Sequence, residues 1–371
     1  MDNTVFFLLL LILLPVFIST MFIPYWTRKT ESFGVSIPET YYYSTNLKQM
    51  RKKYVLQTGV LGLFIIAFLV FIATFFQLNE EGVSIYFGGL TFGYIILTFL
   101  IYLHFHQKMK ELKENNGEKW AQKSQLVVID TGFRNQKLTY SNFWFTISFF
   151  IAIFTMVITM QNYQQIPLEI PMKYNFAGDV TNFTEKSYRS VLILPIMQVY
   201  LTLLFILINI IISKAKQQVS VENPKESMQK NVTFRRRWSA FIIITGIALT
   251  AMFSMIQLSL IYPINPQLMT IVPLAFSLFV TIGAIVLSFT TGQGGSRVVS
   301  KEAFGKENII DRDDDKYWKL GMFYFNKNDP ALFLEKRFGV GWTNNWAHPL
   351  SWFIIIGIIL LAAGIPFLLS L

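Results

Sequence analysis

Eight runs of 18 or more predominantly apolar residues, none interrupted by Asp, Glu, Lys or Arg, constrain this chain more than any other feature. They span residues 5–23, 55–76, 85–103, 143–160, 190–212, 239–261, 270–290 and 351–371. Runs of this length can cross a hydrocarbon core about 30 Å thick as helices. A charge at bilayer depth costs roughly 2.5 to 3.5 kcal/mol on insertion scales, which accounts for the exclusion of every charged side chain. The expected fold is an all-α polytopic membrane protein with eight transmembrane helices. Only 15% of the chain is charged and 53% is hydrophobic, against about a quarter charged in soluble domains.

The basic residues give the orientation. Segments 24–54, 104–142, 213–238 and 291–350 carry 29 of the 32 lysines and arginines, whereas 77–84, 161–189 and 262–269 carry 3. By the positive-inside rule, the four basic segments face the cytoplasm and both termini lie outside. The first run is expected to remain as a helix, because Asp2 precedes it and Arg28 and Lys29 follow it, the reverse of a secretory signal. Much of the net charge of +10 stands beside span ends, as in Lys48, Arg51, Lys52, Lys53 and Arg235, Arg236, Arg237. There each cation gains on the order of 1 kcal/mol against anionic lipid, so a bilayer with anionic headgroups is the expected partner and nucleic acid is not. The absence of cysteine excludes disulfides, thiolate metal sites and thiol nucleophiles. A bacterial plasma membrane is the expected location.

The runs divide the chain into helices 1–3 with basic inner loops (1–142), a helix pair with an outer loop (143–212), helices 6 and 7 (213–290), an inner aromatic-rich segment (291–350) and a last helix (351–371). The short connections 77–84 and 262–269 predict antiparallel helical hairpins. PETYYYSTNLKQMRKKY from Pro38 predicts an interfacial helix that continues without a break into the second span. HFHQKMKELKENNG predicts an extension of the third span ending at Asn116 and Gly117, followed by a strand at QLVVID. Within 291–350, a small inner α/β segment, the turn signal from Asn326 to Pro330 separates two apolar runs in a hairpin-like pattern. About 35 residues are too few for a secure core. Trp318, Phe323, Phe325, Phe333 and Trp342 are therefore expected to pack against the membrane domain or its interfacial helices.

Sites for chemistry are sparse. His104 and His106 fall on different faces of a helix, and neither they nor His348 has a third ligand fixed nearby by sequence, so no metal is expected. DRDDD at 311–315 lacks the glycine and closing glutamate of a calcium loop and reads more readily as a solvated acidic turn. TGQGGSR at 291–297 can be drawn as a phosphate cradle, or as a flexible exit from the seventh span. No nucleophile–base set appears, so neither enzymatic activity nor a cofactor is expected. The bundle carries no ionisable group, only the amides Gln57, Gln198, Asn209 and Gln257. They either join helices or line a pocket among spans 4 to 7.

The outer segment 161–189 is far longer than the two outer turns. Pro167 and Pro171 bracket an extended start, MKYNF alternates, Ala177, Gly178 and Asp179 make a turn, and VTNF returns. An ordered hairpin on the outer face follows, with Thr184 and Glu185 starting the next helix. IPMKYNFAGDVTNFTEKS with the span-borne LPI at 194–196 resembles the motif of the bacterial SdpI-type immunity-protein family. On that match Pro171, Asn175, Gly178, Lys186 and Pro195 occupy motif positions. Lys173 stands where the family has histidine, and Asn182 or a neighbour replaces a late aspartate. FGVSIPE, GQGGSR and the 318–346 region are similar to longer Gram-positive members with extra spans and a C-terminal inner domain. The resemblance implies protection from an antimicrobial peptide or toxin, in some members joined to signalling.

The expectation is therefore a non-enzymatic immunity or envelope-sensing protein whose loop meets a peptide toxin or envelope ligand through Pro171, Lys173, Tyr174, Asn175, Gly178, Lys186 and Pro195. A cytoplasmic regulator would bind its inner face. The alternative is a permease, or a membrane subunit of an export complex, for a neutral or apolar molecule, using Gln198, Asn209 and Gln257.

Overall fold

The computed structural model describes residues 3–116, 136–174, 180–217, 224–298 and 315–370. Eight α-helices lie among them: α1 (Asn3–Trp26), α2 (Thr45–Phe75), α3 (Glu80–Asn115), α4 (Thr146–Gln161), α5 (Tyr188–Lys214), α6 (Pro224–Leu258), α7 (Pro266–Thr291) and α8 (Pro349–Ser370). Each runs through one of the apolar stretches. The six from α2 to α7 are long and apolar enough to cross a membrane. Over the residues whose side chains are described, α1 and α8 give shorter apolar helices, Leu10–Trp26 and Pro349–Leu360. The chain is a multi-pass membrane protein by this measure.

Two compact units emerge, each assembled from separated stretches. The first comprises Met1–Gln136, Ala215–Phe234 and Ile285–His348; the second comprises Lys137–Lys214, Arg235–Ala284 and Pro349–Leu371.

In the first unit, α1 packs on α2 and α3 through Leu13, Phe17, Ile65, Leu69 and Tyr94. Gly59 and Gly62 let the two helices approach, since a Cβ at Gly62 would lie 3.0 Å from the Phe17 ring. Ser44 caps α2 and Asn79 caps α3, each accepting an amide hydrogen in the first turn. The capping corrects the continuous helix expected from Pro38: Glu39–Tyr43 is a 3₁₀ turn, and the extended Ser44 separates it from α2. The helical extension of α3 ends at Asn116 as its sequence indicates, while QLVVID lies outside the described residues.

A small strand pair, β1 (Glu31–Ser32) with β2 (Val35–Ser36), turns at Phe33 and Gly34, both at positive φ. It drives Phe33 into an aromatic core with Tyr54, Tyr102, Phe105 and Phe338, stacked 5.2 Å from Phe105. The C-terminal segment forms two hairpins rather than the single one turning at 326–330: β5 (Trp318–Lys319) with β6 (Phe323–Tyr324), and β7 (Phe333–Glu335) with β8 (Trp342–Asn344). Leu320 and Gly321, both at positive φ, make the first turn, hidden within what reads as one aromatic run. Residues 326–330 join the hairpins instead, with Asp329 bonded to Lys216 and Tyr324. No α-helix lies among the described residues from 315 to 348. Trp342 packs on Phe234, 5.3 Å between rings, as expected, but Phe325 is exposed.

In the second unit, α4 lays a face of small residues, Ser148, Ala152, Thr155 and Thr159, against its neighbours. Thr155 and Ser254 share a 2.6 Å hydrogen bond. Gly246 admits Phe145 and Phe205, with ring atoms 3.0 and 3.1 Å from where a Cβ would stand. Lipid tails offer helices no hydrophobic gain on pairing, so this close packing and polar bonding hold such a bundle together.

Candidate functional site

The sequence reading places function on the 161–189 loop, and the described part of that loop is an ordered antiparallel hairpin, β3 (Glu169–Tyr174) with β4 (Val180–Glu185). Ile170 faces Thr184, Pro171 faces Phe183, Lys173 faces Asn182 and Tyr174 faces Val180, with irregularities on both sides of Lys173. Asn175, Gly178 and the Ala177 to Asp179 turn lie outside the described residues.

Alternation along the strands buries Ile170 and turns Glu169, Phe183 and Glu185 outward. The buried side is an apolar cluster of Ile166, Ile170 and Val191 with Tyr163, Leu260 and Ile261. Lys186 fastens the base. Its ammonium donates to the Ile166 carbonyl at 2.7 Å and lies 4.7 Å from the centre of the Tyr163 ring, which stacks on Tyr188 at 4.5 Å. Its amide donates to the Leu168 carbonyl at 2.8 Å. Lys186 is thus a clasp and not a free contact. The helix start expected at Thr184 and Glu185 belongs to β4; Ser187 and Ser190 exchange hydrogen bonds across the first turn of α5 and open the helix three residues later. The sequence reading missed what the clasped hairpin displays: Leu168 is 80% exposed, Phe183 50% and Met172 45%. Alternation identifies Phe183, which pairs with Pro171 on the face opposite Ile170; Leu168 and Met172 share the parity of Ile170, and no local pattern marks their exposure.

Pro195 is buried one turn below Val191 in α5. Proline has no N–H, so the Val191 carbonyl, four residues back, loses its helical donor. The Gln257 side chain of α6 supplies it at 3.0 Å. The structure therefore brings two residues singled out separately, Pro195 and Gln257, to one bond, and that bond stands directly beneath the hairpin's apolar cluster.

The other amides serve similarly. Gln198 donates to the Thr250 carbonyl at 2.9 Å. Asn209 donates to Tyr140 and Asn142 and accepts from Ser239 at 2.7 Å. All three amides are at most 2% exposed, so they join helices; Gln57 is exposed on α2.

A second constellation, in the first unit, was not read from sequence. Arg28 pairs with Glu335 and Glu31, Arg337 with Asp315 and Glu31, Lys113 with Asp315, and Asn231 with Glu335. Tyr102 donates to the Leu320 carbonyl at 2.8 Å, and the His106 ring nitrogen meets the Phe33 carbonyl at 2.7 Å. His104 is exposed, on the other face. Burial would raise the Asp315 pKa, yet Arg337 and Lys113 hold it below the usual carboxylate range. Burial is likewise overcome at Asp329 by hydrogen bonds from Lys216, the Ala331 amide and Tyr324. Asp315 is therefore an anchored partner and not the solvated turn expected; Asp311 to Asp314 lie outside the described residues. The 291–297 loop is spent on structure too. Gly295, Ser296 and Arg297 amides bond carbonyls within the loop, and Gln293 bonds Lys336 and Gly341. A phosphate cradle of these amides is excluded by their occupation.

Of the span-end cations named from sequence, Lys48, Lys52, Lys53, Arg236 and Arg237 are exposed, whereas Arg51 and Arg235 are buried. Helical periodicity turns one cation of each cluster inward.

Residues 150–199 match the model of a domain of unknown function, DUF1648, a domain found in SdpI-like membrane proteins. That stretch contains the hairpin, its clasp, Pro195 and Gln198. Residues 327–352 match a family of unknown function, DUF5808, across the second C-terminal hairpin. No curated protein and no solved structure matches the chain.

Proposed function

We propose that this chain is a non-enzymatic protein of a bacterial plasma membrane that confers immunity to an envelope-active peptide, or senses one, through its outer hairpin. In this reading the chain spans the membrane eight times with both termini outside, which places 161–189 on the outer face and the charged constellation with 291–350 on the inner face. The carrying observation is the hairpin itself: a clasped, ordered element that exposes Leu168, Met172 and Phe183. Exposed apolar groups on a rigid support suit an amphipathic partner, because little ordering entropy is lost on contact. The match of 150–199 to a domain found in SdpI-like proteins supports the same assignment. Since Val191 and Pro195 lie beneath the hairpin, pressure on it reaches α5 and α6, a route suited to signalling. Against the permease alternative, Asn209, Gln257 and the Gln198 amide nitrogen are occupied in bonds between helices; the Gln198 carbonyl oxygen is buried without a hydrogen-bond partner.

The test is survival of deletion and overexpression strains across a panel of pore-forming peptides and envelope antibiotics. Phe183→Ser and Leu168→Ser are run beside Lys173→Ala and Asn175→Ala. Protection by the wild type that falls with these substitutions is the expected outcome. An unchanged panel removes the assignment and returns the hairpin to a structural cap.

A further inference from the structure

Arg51 stands in the second turn of α2 and is 3% exposed. Its Nη2 donates to the Tyr42 carbonyl at 2.7 Å, while Nε and Nη1 are buried with no hydrogen-bond partner. A guanidinium has five N–H donors and does not lose its charge in a protein. The buried arginines of the charged constellation, Arg28 and Arg337, have carboxylates; among the described residues Arg51 has none within ion-pairing distance. Its surroundings are aromatic instead, with the guanidinium 4.1 Å from the centre of the Tyr42 ring and 5.8 Å from that of Tyr25.

More positive charge gathers there. Lys29 and Lys48 approach the exposed Tyr43 ring at 5.6 and 6.0 Å, and Arg297 donates to the Tyr25 carbonyl at 2.7 Å. Arg51, Arg297 and Lys29 all act electrostatically on the Tyr42 phenol. Glu39 stands 3.9 Å from Lys29. An uncompensated buried cation is costly unless an anion meets it. Cation–π contact repays only about 2 kcal/mol of this.

We propose that Arg51, with Lys29 and Lys48 at the rim and Tyr42 and Tyr43 as walls, binds one phosphate group of an anionic ligand. Phosphate matches a guanidinium with several open donors better than a monodentate anion does. The site lies at the helix end flanked by Lys48, Lys52 and Lys53, where a span meets lipid headgroups, so a phosphatidylglycerol-type headgroup and free phosphate are the two sources of that chemistry. The inference does not depend on the role of the hairpin.

The full-length protein in neutral detergent is tested by native mass spectrometry and thermal melting with phosphatidylglycerol, phosphatidylcholine and inorganic phosphate. Retention of phosphatidylglycerol over phosphatidylcholine, with a rise in Tm, is expected. A matching rise with inorganic phosphate supports the same site with a free-anion source. Lys29→Gln and Lys48→Gln, which remove rim charges without disturbing the core, are each expected to lower retention about fivefold. Arg51→Gln is expected to abolish the selectivity, and Arg51→Lys to keep part of it. No response of the wild type to either anion overturns the proposal, as does wild-type retention in both lysine variants.

Discussion

The Val191 carbonyl has a donor only because a glutamine on another helix supplies one. Gln257→Leu leaves that carbonyl buried and unpaired, a loss of about 1 to 3 kcal/mol. Pro195→Ala restores a backbone N–H four residues on, so in that background the same Gln257→Leu change is expected to cost little. Melting of the four proteins in detergent gives the coupling. An additive cycle, with the glutamine loss as large beside alanine as beside proline, removes the proposed link. Pro195 and Gln257 were each visible in the sequence, the first through a motif resemblance and the second as a rare polar group in an apolar run. Their pairing was not, because nothing in either local sequence encodes which turn of α6 meets the orphaned carbonyl. Arg51 and Arg235 illustrate the same limit. Composition marks them as span-end cations, but only helical phase and tertiary packing turn them inward.

Among the elements, helices were the most legible, since an uninterrupted apolar run admits no other structure in a bilayer. The 161–189 hairpin was legible too, through alternation and proline placement. The C-terminal pair of hairpins was not: Leu320 adopts positive φ in the middle of an aromatic run, which its side chain does not announce, while the true connector carries the familiar Asn, Asp and Pro turn residues. Those hairpins are held by carboxylates whose pKa values are lowered in the fold, and this sets a pH dependence. Asp315 and Asp329 titrate below their ordinary value of 3.8, so their stabilisation is complete above about that pH and disappears as pH falls through their folded values. Tm of the detergent-solubilised protein is therefore expected to drop below about pH 4. Asp315→Asn and Asp329→Asn should lower Tm at pH 7 and flatten that acid limb. A limb as steep in both variants as in the wild type would assign acid sensitivity to other groups.

For the whole molecule, topology is the property most open to a decisive experiment. The chain has no cysteine, so single cysteines report without background. Asn182→Cys is expected to react with an impermeant maleimide in whole cells, and Asn326→Cys only after permeabilisation. The reverse pattern would invert the orientation, and equal labelling would break the eight-span arrangement. Charge counting yields the orientation these cysteines test, but the constellation of Arg28, Glu31, Lys113, Asp315, Glu335 and Arg337 escaped it because its members come from three distant parts of the chain. That distance bears on biogenesis. Arg28 leaves the ribosome about 300 residues before Glu335, an interval of roughly 15 to 60 s at ordinary elongation rates. Throughout it the early helices carry an arginine that lacks its later carboxylate. Synthesis of the first three helices thus precedes their final docking on the C-terminal hairpins by many seconds, and a quality-control protease or chaperone that reads unburied charge has that whole interval in which to act on chains that stall.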